Sequence, residues 1–225
     1  FENIIKKDRD NNQSRSWQGK LLGYLDKIKE DPSIAKLAHA RVYDVIVKAG
    51  VRDLQESTDP HVKRLYKDES IKIYDFFTDE FFGIEKTVAQ IVRYFHAASL
   101  KGEESRQVLY LMGPVGSGKS SLAEKLHRGL EESDPILAIE GCPMFEEPLH
   151  LIPRQLRKEF EKMLGAHIEG DLCPVCRYRR KEEFGGKYEE FPIGTVEFSK
   201  RARVGIGLVP PEDRNSQETS VLGGG

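Results

Sequence analysis

The run Gly113-Pro114-Val115-Gly116-Ser117-Gly118-Lys119-Ser120 constrains this chain more than any other feature. It fits the phosphate-binding pattern G-x-x-x-x-G-K-[ST] at every fixed position. Glycines let the backbone turn sharply and aim successive N–H groups into a concave nest for phosphate oxygens. Such a loop works only between a strand and a helix. Val108-Leu109-Tyr110-Leu111-Met112 reads as a buried strand leading in, and Ser121 to Glu132 as a helix leading out. Lys119 is expected at the β- and γ-phosphates and the Ser120 hydroxyl on Mg²⁺. Gly113, Pro114, Val115, Gly116, Ser117, Gly118, Lys119, Ser120 and Ser121 are thus the expected contacts of a nucleoside triphosphate.

The rest of the chain suits a soluble host for that loop. It has 225 residues, enough for one large or two small domains. Lys plus Arg number 35 against 37 Asp plus Glu, a formal net charge of −2 that gives no reason to expect nucleic acid or a membrane as partner. No apolar run reaches the roughly 18–20 residues of a membrane span. The polar opening Phe1-Glu2-Asn3-Ile4-Ile5-Lys6-Lys7 is no signal peptide. Three cysteines argue against a disulfide framework and for a reducing cytoplasm.

Periodicity divides the chain at about residue 70. Trp17, Leu21, Leu25 and Ile28 follow helical spacing, with Ser16 placed to cap. Asp31-Pro32 breaks that helix, and Ser33 is placed to cap a second through Leu37, Val42 and Ile46, which Gly50 ends. This helical hairpin and the polar stretch after it make residues 1–69 a small helical subdomain and linker. From residue 70, Ile71 to Phe77 reads as extended, and Val88, Ile91, Val92, Phe95 and Ala98 mark a helix. Beyond the loop, Ile136 to Ile139 reads as a strand, and Pro153 opens a helix with Leu156, Phe160, Met163 and Leu164 on one face. Gly165 to Pro192 reads as a long irregular insertion, followed by two β-like runs, Gly194–Phe198 and Arg203–Val209.

Phe81-Phe82-Gly83-Ile84-Glu85, some thirty residues before the loop, resembles the adenine-side segment of AAA+ ATPases. Adenine is a flat, mostly apolar disc that needs a greasy slot, and Phe82, Gly83 and Ile84 are the matching positions. Together with the phosphate loop and Gly170-Asp171-Leu172-Cys173-Pro174-Val175-Cys176-Arg177-Tyr178, it looks like the PrkA family over nearly the whole chain. Members are bacterial proteins described as serine protein kinases with an N-terminal AAA+ module. The resemblance implies an α/β fold with a three-layer P-loop core, binding of ATP and Mg²⁺, self-association, protein substrates, and a role in stress response or sporulation. The rival reading is an AAA+ ATPase that remodels or helps degrade proteins, and a third is an ATP-gated docking module.

The residues themselves do not supply a kinase. The nearest strings to a catalytic His-Arg-Asp and a metal-binding Asp-Phe-Gly are His127-Arg128-Gly129 and Asp75-Phe76-Phe77, and neither fits. No apolar strand after Ser121 ends in the paired acids of a Walker B element, Glu146-Glu147 following too short an apolar run. The AAA+ module therefore reads as partial, ending before Walker B, and the chain alone is expected to bind nucleotide and turn it over little.

Cys173-Pro174-Val175-Cys176 has the spacing of half a zinc site, with His167, Cys142 and His150 available to complete it. On the sequence alone, two small residues in a turn rank first, Zn²⁺ second and a redox pair third. Arg177-Tyr178-Arg179-Arg180-Lys181 reads as a solvated loop whose charge the neighbouring glutamates cancel. Gly205-Ile206-Gly207 follows no βαβ pattern and is no dinucleotide fingerprint.

Overall fold

The computed structural model describes residues 15–54 and 71–207, together with residues 1, 6, 64 and 209. Most of the polar lead-in, the 55–70 linker, Leu208 and the tail from Pro210 lie outside the described residues.

Three short strands make the main sheet: β1 (Gln18–Lys20), β4 (Ile136–Ile139) and β5 (Pro192–Val196), in the order β1-β5-β4. Both pairings are antiparallel, with Gln18 opposite Gly194 and Ile136 opposite Val196. The strand expected at Ile136–Ile139 is therefore present. The helix expected from Ser16 is not: α1 runs Leu21–Glu30, and no side chain caps it. The Trp17 N–H donates to Thr195 Oγ1 at 2.7 Å, and Thr195 N–H to Trp17 O at 3.0 Å, which commits this stretch to the sheet edge. The Trp17 ring lies over Gly19, where an added Cβ would stand 2.6 Å from ring atom Cζ2.

The next boundary also shifts. The Asp31 carboxylate accepts from Ser33 N–H at 2.9 Å and caps a 3₁₀ turn, Pro32–Ala35, so Asp31 and not Ser33 is the cap. Helix α2 (Ala38–Lys48) starts only after it, and Gly50, at φ +124°, lies just beyond its end. The two helices do not pair as the expected hairpin. Leu21, Tyr24 and Ile28 of α1 enter one core, centred on the main sheet with Ile139, Phe191 and Ile193. Val42 and Ile46 of α2 enter a second, with Phe77, Val88, Val92 and Leu122.

That second core holds the phosphate loop's neighbourhood. A two-stranded antiparallel ladder, β2 (Val51–Asp53) with β3 (Lys72–Tyr74), leads through a 3₁₀ turn at Asp75–Phe77. Helix α3 (Glu85–Ser99) buries Val88, Ile91, Val92 and Ala98, the face its periodicity predicts. Helix α4 (Lys119–Glu131) follows the loop, as expected.

Val108 to Met112 is not a buried strand. Val108, Tyr110 and Met112 are 91%, 78% and 79% exposed, while Leu109 and Leu111 pack on the second core. The alternation is that of an extended segment with one face in contact, but no described strand pairs with it. Every strand pairing among the described residues is antiparallel. The protein is thus a mixed helix–strand fold with small sheets, and the parallel strands of a three-layer core are not among the described elements.

Residues 165–192 are the reverse case, ordered where irregularity was expected. Helix α5 (Arg157–Leu164), entered by a 3₁₀ turn at Arg154–Leu156, buries Leu164 but leaves Met163 62% exposed, off the face assigned to it. Then α6 (Pro174–Glu182) forms with Cys173 as N-cap, and Ile168, Leu172, Cys176 and Phe191 are core residues of the main sheet. The basic cluster lies on this helix rather than in a loop. Arg179 donates to Glu140 O at 2.7 Å and stands 5.5 Å from the Phe191 ring centre. Among the described residues, the second β-like run is reduced to one bridge, Ser199 with Val204. No helix among them is long and apolar enough to cross a membrane.

Candidate nucleotide site

The phosphate loop sits at the start of α4, on the rim of the second core. Gly116 and Gly118 have φ +82° and +80°, the left-handed region that glycine enters without strain. A Cβ on Gly116 would meet nothing within 4 Å, so it is the left-handed backbone rather than crowding that favours glycine there. No side chain caps the first turn of α4 and no acidic residue lies in it. Its leading N–H groups and the positive end of the helix dipole therefore face an anion-binding position.

The Lys119 ammonium lies back across this loop. It donates to Gly113 O at 2.8 Å, Pro114 O at 2.7 Å and Ser117 Oγ at 3.0 Å. The cation is thus held within the turn itself, by weak neutral acceptors that a charged phosphate oxygen outcompetes. Ser120 and Ser121 are exposed on the first turn of α4. The donor set of backbone N–H groups, ammonium and hydroxyl fits a polyphosphate with its Mg²⁺.

The expected adenine segment is close to the loop, with its roles redistributed. Phe81, not Phe82, reaches it: the Phe81 ring edge is 3.6 Å from a Cβ position on Gly118. Phe82 is 75% exposed, Gly83 turns at φ +76° with its N–H donating to Glu85 Oε1 at 3.0 Å, and Ile84 packs on the second core. The crevice that Phe81 and Ile84 line with Phe77, Thr78 and Val88 is a slit of about 10 Å³, the space of about one water. Segment and loop are tied together by charge. Lys125 of α4 reaches Asp79 at 2.6 Å and Glu80 at 3.2 Å, and Arg128 reaches Glu80 at 2.6 Å. Lys125 hydrogen-bonded to Asp79, and Arg128 to Glu80, hold both carboxyls below their usual range. A cleft of about 910 Å³ lies elsewhere, lined by Arg15, Lys36, Arg41, Phe76 and Asp134.

A family model for the PrkA AAA domain matches residues 19–225. The chain belongs to this family. It is 38% identical over 226 residues to a Bacillus subtilis (strain 168) protein named "ATP-dependent protease PrkA", covering 98% of this chain and 34% of that one. It is 33% identical over 211 residues to "Serine/threonine kinase YeaG" of Escherichia coli (strain K12), covering 91% of this chain and 32% of that one. The chain therefore spans about a third of the length of these relatives. No solved structure matches.

In this PrkA-family chain the two kinase-like strings have packing roles. Gly129 of His127-Arg128-Gly129 is buried where a Cβ would come within 2.6 Å of Phe76, and Asp75 pairs with Arg52. The cysteine pair has acquired neighbours. Cys142 and Glu146, from the turn after β4, join Cys173 and Cys176 in one cluster. His150 contacts Glu146 at 3.3 Å rather than a sulfur, and His167 pairs with Glu161 at 2.5 Å, outside the cluster. Burial pushes the Cys173 and Cys176 thiols up. Sequence reasoning missed Glu146 and Glu147 because it weighed them only as a Walker B pair. Instead Glu147 accepts from the buried Tyr24 hydroxyl, and burial holds its carboxyl above the usual carboxylate range.

Proposed function

We propose that this chain binds ATP with Mg²⁺ through Gly113–Ser121, as the nucleotide-binding part of a PrkA-type protein. The observation that carries the reading is the loop itself: left-handed Gly116 and Gly118 before an uncapped helix start, with the Lys119 ammonium already inside the turn. Backbone N–H groups and Lys119 hold the phosphates, and the Ser120 hydroxyl contributes to Mg²⁺, which when bound supplies charge neutralisation at the terminal phosphates. Phe82, Gly83 and Ile84 belong to the base side, with Phe81 fixing that segment against Gly118. The slit of about 10 Å³ is too small for adenine, and the exposed ring of Phe82 offers an apolar face on which a base would stack. A three-layer core of parallel strands around Leu109 and Leu111 belongs to the same reading.

Two chemistries are open to the whole protein. The relatives' printed names divide between protease and kinase. With no kinase-type catalytic string in this chain, phosphotransfer to a protein substrate would depend on groups other than the two strings above. The ATP-driven protease or remodelling reading is favoured by the name of the Bacillus subtilis relative, at 38% identity. Self-association, a cytoplasmic setting and a stress or sporulation role accompany either reading. Calorimetry on Lys119→Ala tests the binding step. A loss of at least about tenfold in ATP affinity, about 1.4 kcal/mol, is expected with the unfolding midpoint unchanged. Unaltered ATP affinity would sink the assignment. Following γ-phosphate label onto protein or water, beside loss of an intact protein substrate, separates kinase from protease in the whole protein.

A further inference from the structure

Far along the chain from the phosphate loop, four side chains converge on one point. Cys142 Sγ is 3.8 Å from Cys173 Sγ and 3.8 Å from Glu146 Oε2, and the ligand atoms of Cys142, Glu146, Cys173 and Cys176 all lie within 4.8 Å of one another. Cys142, Glu146 and Cys176 are buried, and Cys173 is half-buried. A tetrahedral zinc ion with arms of about 2.3 Å to sulfur and about 2.0 Å to oxygen has sulfur–sulfur edges of about 3.8 Å and sulfur–oxygen edges of about 3.5 Å. The Cys142–Cys173 spacing equals the sulfur–sulfur edge, the 3.8 Å from Cys142 to Glu146 is slightly longer than the sulfur–oxygen edge, and the other pairs, all within 4.8 Å, need only a small contraction to close on an ion. A disulfide would instead require sulfurs at about 2.05 Å, and all three cysteines are free.

We infer that Cys142, Glu146, Cys173 and Cys176 form a closed, structural Zn²⁺ site. The surroundings are those of ligands held in place. The Cys176 N–H donates to Cys173 Sγ at 3.3 Å across the first turn of α6, which fixes the position of that sulfur. One oxygen of Glu146 is fixed by the protein: Oε1 accepts from Cys173 N–H at 2.7 Å and faces His150 Nδ1 at 3.3 Å, while His150 Nε2 meets Glu169 O at 2.6 Å. The other oxygen, Oε2, faces the sulfur of Cys142. Orienting contacts of this kind behind a ligand carboxylate belong to metal centres. The turn that carries Cys142 and Glu146 bends sharply, with Gly141 at φ +72° and Phe145, a non-glycine residue, at φ +48°. Such backbone persists where the surrounding structure over-determines it. Three thiols and a carboxylate make a borderline-soft donor set, suited to zinc rather than to Mg²⁺ or Ca²⁺. Four protein ligands leave no open position, so the ion joins the β4 turn to α6 and does no chemistry on substrate.

Elemental analysis of protein purified without chelator, under reducing conditions, is the direct test. About one zinc per chain is expected. After removal of the metal, titration with Co²⁺ should give thiolate-to-cobalt charge transfer and the intense visible bands of a tetrahedral ion. Three thiols should react with a disulfide reagent at least about tenfold faster without the metal than with it. Cys173→Ser and Glu146→Gln should each lower metal content or retention. Should either variant fail to fold, the cobalt spectrum of the unaltered chain still decides, since its charge-transfer intensity reports the thiolates bound. Protein that arrives free of zinc and takes up neither Zn²⁺ nor Co²⁺ overturns the inference. So does metal whose amount and spectrum ignore both substitutions. Lys119→Ala should leave the zinc in place, which keeps this test separate from that of nucleotide binding.

Discussion

The two cores differ in how their surfaces are used. Around the main sheet, Tyr24, Ile28, Leu151, Phe191 and Ile193 are completely or almost completely buried, and Phe184 stacks on Phe191 at 4.2 Å. Around the phosphate loop, Val108, Tyr110, Met112 and Val115 stand exposed, and exposed ion pairs supplement the apolar packing that ties α4 to the Phe81 segment. Stability is therefore concentrated in the region without the nucleotide motif. The motif sits on a lightly packed rim, in keeping with binding loops being drawn from the less stable parts of a fold.

The sharpest way to break this contrast is to disturb one tightly packed position in each region. Phe191→Ala should cost about 3–5 kcal/mol in urea unfolding followed by Trp17 fluorescence. A loss below about 1 kcal/mol would show that the sheet core is not the main source of stability. Gly129→Ala probes the joint between α2, α4 and the Asp75–Phe77 turn, where the new Cβ would meet Phe76 at 2.6 Å and Val45 at 2.8 Å. It should cost about 1–3 kcal/mol by overpacking, measured by thermal melting, without changing ATP affinity at the exposed end of the helix.

Acidity should act on the two regions in opposite directions. Glu147 holds its proton more tightly folded than unfolded, so its share of stability is full below its ordinary value of 4.5 and is lost as pH rises through the higher folded value. Asp79 and Glu80 are depressed, so their share is present above their ordinary values of 3.8 and 4.5 and is lost as pH falls through the folded ones. Glu147→Gln should accordingly raise the urea midpoint toward neutral pH, and Glu80→Gln should flatten the acid limb. The same sign for both variants would contradict the assignment. The smallest effect is expected at Tyr110: Tyr110→Ser should stay within about 0.5 kcal/mol of the parent, unless a strand from elsewhere in the whole protein covers it.

How much of this was legible depended on how local the cause was. Helix α4, the face of α3 and strand β4 follow from periodicity and from residues within one turn of each other. Trp17 was misassigned because its partner, Thr195, is far away, and an apolar i, i+4 spacing does not reveal a distant sheet edge. Residues 165–192 looked irregular because α6 is strongly polar and contributes one buried residue, Cys176. The phosphate-loop positions were readable as a string, whereas Phe81 as the contact to Gly118 was not, since two adjacent phenylalanines carry no sign of which faces inward. Cys173 and Cys176 stood out by spacing. Glu146 did not, because a carboxylate becomes a ligand only through the turn that brings it to the sulfurs.

The pairing of β1 with β5 sets a clock on synthesis. The first strand must wait for a partner 178 positions later, as the Trp17–Thr195 bond measures. At about 5–20 residues per second, that wait is roughly ten to thirty-five seconds. The phosphate-loop core, whose last packed residue is Leu130, can close before the main-sheet residues that α1 packs on, Ile139 to Ile193, are made. A nascent chain of this protein thus passes through a stage in which its nucleotide loop is shaped while Trp17, Tyr24 and Ile28 remain uncovered, open to whatever attends the ribosome exit.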